Sequence, residues 1–254
     1  MKKSESYIGV AGVTTVDDAR AMLQMFPPNS QRKLMTGVLA SSRTLRKERH
    51  RKPNRFPARE VIKDIFIPDP KSLNVIHFAT DGKQPFSEEL IEILDWCVSG
   101  WGSLGVQLNM VWPSPREVEK FLKAVILKPV VVLQVGTRAF AEVNNSPSEL
   151  VKRLGAYRGL ITNVLLDQSG GEGKVLNPAL LKPYVQAIAE LDGSVGIGVA
   201  GGLSAETLYR VQPLLEEFPF LSVDAEAGLR TENDFLDLEK VRRYIEGFFA
   251  LVKT

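Results

Sequence analysis

Eight short apolar runs recur along the chain, around Val10, Val38, Ile76, Gln107, Val132, Leu165, Ile197 and Val223, at intervals of 28, 38, 31, 25, 33, 32 and 26 residues. An interval of roughly 30 residues accommodates one strand, one loop and one returning helix. The run Val130 to Leu133 is apolar at every position, as in a strand buried on both faces; a half-exposed strand would alternate apolar with polar. The sheet is therefore predicted to be parallel.

Helix-start signals fall between the runs. Ser114-Pro115-Arg116-Glu117 and Ser146-Pro147-Ser148-Glu149 each combine a capping hydroxyl, a proline in the first turn and a glutamate three residues on, and Asn177-Pro178 and Thr15 to Asp18 repeat the theme. After Ser114, residues Val118, Phe121, Leu122 and Val125 share one helical face suited to packing on the sheet. Eight such units in 254 residues match a single-domain α/β fold, a (β/α)8 TIM barrel spanning 1–254. An open doubly wound sheet is the rival, and it is disfavoured because no Gly-x-Gly-x-x-Gly follows the first strand.

Composition narrows the chemistry. With 44% apolar residues, 20 Gly, 15 Pro and a net charge of +2, the chain is neither collagenous nor disordered, and it has no overall attraction to nucleic acid or anionic lipid. One cysteine, Cys97, and two histidines, His50 and His77, leave few ligands for a metal site, so cofactor-free chemistry is expected. No run reaches the ~20 apolar residues of a membrane helix, and the N-terminus lacks a secretory pattern. The expected location is the cytoplasm.

In barrels of this kind the loops after the strands carry the active site. The sixth run ends in Asp167, followed by Gln168-Ser169-Gly170-Gly171-Glu172-Gly173-Lys174. That places a carboxyl suited to donating a proton beside glycines, Gly170 and Gly171 among them, whose backbone can approach a ligand oxygen. The seventh run leads through Gly201 and Gly202 to Ser204 and a predicted helix containing Leu208, Val211, Leu214 and Leu215, a place for a phosphate at unpaired N–H groups. The eighth supplies Asp224-Ala225-Glu226-Ala227-Gly228-Leu229-Arg230. Turn formation alone also accounts for these glycines, with Ser204 as a cap.

Other features are weaker. Arg43, Arg46, Lys47, Arg49, Arg51, Lys52, Arg55 and Arg59 make the segment 43–59 a basic lid with Glu48 as its acid. It suits a polyanionic substrate, a solvated loop or RNA, although repeated aromatics for base stacking are missing. His77 with Asp81 reads as a structural histidine in a shared loop, and Cys97 as a buried helical residue.

Together these motifs resemble phosphoribosylanthranilate isomerase, a barrel enzyme of tryptophan biosynthesis. Leu165-Leu166-Asp167 with Gly170 to Lys174 is similar to the family's Leu-Leu-Asp and Gly-Gly-Thr-Gly-Lys. Ala200-Gly201-Gly202-Leu203 matches Ala-Gly-Gly-Leu, Asp224 to Arg230 corresponds to Asp-Val-Ser-Ser-Gly-Val-Glu, Gln107-Leu108 fits the fourth strand, and Asp237 to Val241 fits the start of the last helix. The resemblance implies an Amadori-type aldose–ketose isomerisation of a phosphorylated small molecule, without metal or cofactor. It gives Asp167 the role of general acid and Gly201, Gly202, Asp224 and Gly228 places in phosphate and substrate binding.

The motifs also depart. Gly9-Val10-Ala11-Gly12-Val13-Thr14 stands where the family has Lys-Ile-Cys-Gly-Ile-Thr, so Ala11 occupies the position of the base, and Glu226, Glu172 or His77 is expected to replace it. Glu226 and Ala227 take the two serine positions, and Arg230 is expected to neutralise Glu226 or to bind the anion itself. Arg55 is loosely similar to the arginine that meets the aromatic carboxylate. A barrel that binds a phosphorylated ligand without turnover is the competing reading, and RNA association through the basic segment is a third.

Overall fold

Each of the eight apolar runs forms a strand in a computed structural model of the protein, which describes residues 5–97, 103–126, 128–169, 175–191 and 193–252. The strands β1 (Tyr7–Ala11), β2 (Lys33–Ser41), β3 (Ser72–Ala79), β4 (Ser103–Leu108), β5 (Val130–Gly136), β6 (Asn163–Asp167), β7 (Gly196–Ala200) and β8 (Ser222–Ala225) pair in sequence order and close. Every pairing is parallel, and the ring is completed by Ile8↔Val223, Gly9↔Asp224 and Val10↔Ala225. The (β/α)8 barrel expected from the spacing is the fold observed.

Outward-facing Ile8, Val10, Val38, Ile76, Val106, Val131, Leu166 and Val223 form the main core with helix residues such as Met22, Ile93, Phe121, Ile188 and Phe248. A smaller cluster of Tyr7, Met35, Leu73 and Val75 fills the barrel's inside. Further along the strands the inner face turns polar, with His77, Gln107, Asp167 and Asp224 all buried. Alternation thus sends apolar residues out to the helices and chemistry inward.

The helices are α1 (Val16–Met25), α2 (Ser42–Leu45), α3 (Ile62–Ile65), α4 (Phe86–Cys97), α5 (Pro115–Ala124), α6 (Thr137–Glu142), α7 (Pro147–Leu154), α8 (Pro178–Leu191), α9 (Gln212–Glu217) and α10 (Leu238–Leu251). All four predicted starts are observed. Thr15 accepts from Asp18 N at 3.1 Å, Ser146 from Glu149 N at 3.4 Å and Asn177 from Ala179 N at 3.1 Å. Ser114 makes no side-chain cap; Glu117 instead accepts from Ser87 Oγ at 2.6 Å.

Two helices differ from expectation. After β2 there are only single turns: α2, the 3₁₀ turns Pro53–Arg55 and Arg59–Val61, and α3. After Ser204 the predicted helix is replaced by a 3₁₀ turn, Leu208–Val211, before α9. There Thr207 Oγ1 accepts from Ser204 N and donates to the Gly202 carbonyl, both at 2.8 Å, competing with a helical ladder. Pro213, lacking an N–H, fits only a first turn, so α9 begins at Gln212. Among the described residues no helix is long and apolar enough to cross a membrane.

Candidate active site

At the C-terminal ends of the strands a cavity of about 290 Å³ is lined by Ala11, Leu39, His77, Gln107, Gln134, Asp167, Ala200, Gly201, Gly202, Asp224 and Glu226, with Lys52, Arg55 and Phe56 from the basic segment. Asp167 ends β6 and is almost wholly buried. Its Oδ1 accepts from Ser169 N at 3.0 Å and Ser169 Oγ at 2.6 Å, and its Oδ2 from Gln134 Nε2 at 2.9 Å. The strand-end carboxyl is thus held in one orientation. Gln134 and Ser169, which do the holding, carry no sequence signal beyond their nearness to strand ends. Gly170, Gly171 and Glu172 lie outside the described residues.

His77 lines the same cavity but not in the expected loop. It sits on β3 over Gly37, with Gln107 Nε2 3.2 Å from its Nδ1 and Met35 Sδ 3.4 Å from its Nε2. Asp81 lies elsewhere, accepting from Arg46 Nη2 at 2.6 Å. Desolvation lowers the imidazole pKa to about 3, so His77 is neutral at physiological pH. Cys97 is buried as expected, its thiol pushed up to about 12 by desolvation, so no thiolate nucleophile forms there.

The expected exchange of Glu226 with Arg230 is not what the fold makes. Arg55 holds Glu226 instead, Nη1 donating to Oε1 at 2.6 Å, while its Nε and Nη2 reach Asp234 at 2.9 and 2.6 Å. Arg230 feels the Glu226 charge but makes no ion pair with it among the described residues; its Nη2 donates to the carbonyls of Ala11 at 3.0 Å and Gly12 at 2.7 Å. It does not line the cavity among the described residues. Arg55 forms two ion pairs 171 and 179 residues away, a partnership no local spacing could reveal.

Gly201 and Gly202 form the turn after β7 with φ of +129° and +56°, values that favour glycine. Gly228 has a different role. A Cβ there would overlap the Leu203 carbonyl oxygen, so the missing side chain lets the 3₁₀ turn Ala227–Leu229 lie against the loop after β7. Gly228→Ala should cost about 1 to 3 kcal/mol through this overlap, read as a lower urea midpoint; an unchanged midpoint would show that the loops part freely.

The basic segment is anchored at several points while most of its cations stay exposed to solvent. His50 stacks on Phe56 at 3.8 Å, Arg46 pairs with Glu48 and Asp81, Lys47 with Glu60, and Arg59 lies 4.0 Å from the Trp96 ring centre. Arg43, Arg49, Arg51 and Lys52 stay exposed on this loop.

No protein-family model matches the sequence, and a search of curated proteins returns no match. Among solved structures, the chain is similar to phosphoribosylanthranilate isomerase from Thermus thermophilus, at 18% identity and TM-score 0.64 over 96% of this chain and 99% of that one. It is similar to a phosphoribosylanthranilate isomerase in complex with reduced 1-(o-carboxyphenylamino)-1-deoxyribulose 5-phosphate, at 15% identity and TM-score 0.63 over 96% and 99%. A chitinase catalytic domain from Pyrococcus furiosus also matches, at 7% identity and TM-score 0.56 over 98% and 97%. Since one barrel carries unrelated chemistries, these likenesses establish architecture: the chain has the closed (β/α)8 fold that phosphoribosylanthranilate isomerases have.

Proposed function

We propose that the cavity binds a phosphorylated small molecule and that Asp167 handles a proton during its Amadori-type isomerisation from aldose to ketose. One observation carries this reading: Asp167, oriented by three donors, shares a single cavity with the glycine turn after β7 and the start of the 3₁₀ turn after β8. Among the described residues the N–H groups of Gly202, Ala227 and Gly228 have no backbone acceptor, as an anion site requires. The motifs around Asp167, Gly201 and Asp224 resemble the isomerase family, and a similar barrel is in complex with the reduced form of a phosphorylated amino-deoxyribulose.

Arg55 keeps the phosphate end of the site open to an anion by neutralising Glu226. Arg55→Ala should weaken binding of ribose 5-phosphate about tenfold at low salt, since two rim carboxylates lose their cation; calorimetry that finds equal affinity would remove this role. The reading itself is tested by offering the wild-type protein phosphoribosylanthranilate and ribose 5-phosphate. Turnover of the first with binding of the second supports it, and neither one disproves it.

Ala11 and His77 favour a second reading, a barrel that binds a phosphorylated ligand without converting it, because a methyl group cannot accept the substrate proton and burial leaves the His77 imidazole a much weaker base than usual. Tight binding of ribose 5-phosphate with no turnover would select it.

A further inference from the structure

Two carboxyl groups stand at one level of the barrel. Asp167 pairs with Ala200, and Ala200 with Asp224, so the acids flank a strand that contributes only a methyl group to that row. Gly136 lies beside Asp167 and Gly9 beside Asp224, keeping the row open. Strands lie ~4.8 Å apart, which puts the two Cα atoms ~10 Å apart with side chains converging inward. Both acids line the one cavity, within reach of a single small molecule.

Their surroundings are opposite. Asp167 receives an N–H, an O–H and an amide donor, the pattern of a carboxylate that only accepts. Asp224 has a buried Oδ1 without a partner among the described residues, leaning over Gly9, where a Cβ would come within 2.5 Å. The titratable groups facing it are Tyr7 from β1, Tyr244 from α10, Asp167 from β6 and Glu226 from its own loop. None of these is a cation. Burial, then Glu226 and Asp167, push its carboxyl well above the ordinary carboxylate range, against a smaller lowering by the Ala225 N–H that hydrogen-bonds it.

We propose that Asp224 delivers a proton to the substrate and Asp167 receives one, so that this pair supplies the base absent at Ala11. The proposal rests on the isomerase reading above. On a phosphoribosyl arylamine, Asp224 protonates the ring oxygen as the C1–O bond breaks and the nitrogen lone pair forms C1=N, leaving an open-chain iminium and an Asp224 carboxylate. Asp167 then takes the C2 proton. The C–H electron pair becomes C1=C2, and the C=N pair returns to nitrogen, giving an enaminol. Tautomerisation moves the enol proton to C1, and the proton on Asp167 passes back to Asp224. Atoms and charge balance with no oxidant or reductant. Two titratable groups with opposed environments are a recurring way to divide acid and base roles.

The test combines a spectrum with kinetics. Carboxyl NMR of the wild-type protein at neutral pH should show one protonated aspartate, lost in Asp224→Asn and retained in Asp167→Asn. Asp224→Asn, a neutral isostere, should bind ribose 5-phosphate as the wild type does but convert phosphoribosylanthranilate at least about a hundredfold more slowly, without the alkaline limb of the pH–rate profile. An ionised Asp224 in the wild type, or near-wild-type turnover by the variant, overturns the role given to Asp224 while leaving the isomerase reading intact. A wild type that converts nothing removes that reading, and the division of roles with it. The spectrum is read on the wild type, so it decides the charge of Asp224 even if the variant does not fold.

Discussion

Asp167→Asn is expected to lower turnover of phosphoribosylanthranilate by about 10²- to 10⁴-fold while leaving ribose 5-phosphate affinity and melting temperature close to wild type. The size is that of losing a positioned proton-transfer group. Structure should survive, because Asn Oδ1 can still accept from Ser169 N and Oγ, and Gln134 can turn its amide to present a carbonyl where it now presents Nε2. What disappears is the carboxyl's capacity to exchange a proton. The comparison of kcat with KM is the informative part: a loss confined to kcat marks a group acting in the transition state, whereas a loss confined to KM would show that Asp167 only binds. Retained turnover in a folded variant would dismiss Asp167 from the chemistry.

The barrel was legible because its signal is periodic. Eight apolar runs at near-regular spacing report how long one strand-and-return takes, and every run observed as a strand contains the residue that marks it in the sequence. Asp167 was legible for a related reason, since a carboxyl at the end of an apolar run lands at the mouth of any such barrel. The details that depend on contacts between distant segments were not. In the sequence Arg230, four residues on, is the expected partner of Glu226 and Arg55 is not, yet the loop after β2 folds across the mouth and brings Arg55 to Glu226, while Arg230 donates to the carbonyls of Ala11 and Gly12. Asp224 looks like another strand-end acid; only closure of β8 onto β1 reveals that it is buried against Gly9 beside two other acids. The late start of the helix after Ser204 turns on the hydroxyl of Thr207 and on Pro213.

The inner face that makes the site also sets the protein's response to pH, and His77 should govern the acid side. In the unfolded chain an imidazole binds a proton near pH 6.5, whereas burial without an anionic partner holds His77 to about 3 in the fold. Between those values the unfolded state carries the extra proton, so stability falls as pH falls, at about 1.4 kcal/mol per pH unit. From neutrality to pH 4 the wild type should therefore lose about 3 kcal/mol through this residue. His77→Gln keeps a hydrogen-bonding side chain beside Gln107 without a titrating ring, and it should lose about that much less over the same interval in urea titrations. Asp224 acts with the opposite sign. Its raised carboxyl keeps a proton that the unfolded chain gives up above its ordinary range, so its penalty is absent below that range and grows as pH rises. Asp224→Asn should accordingly stabilise the protein at neutral pH and have no such effect near pH 3. Identical acid profiles for His77→Gln and wild type would mean that the buried imidazole is hydrated, and the mouth wetter and less selective for neutral groups than its packing indicates.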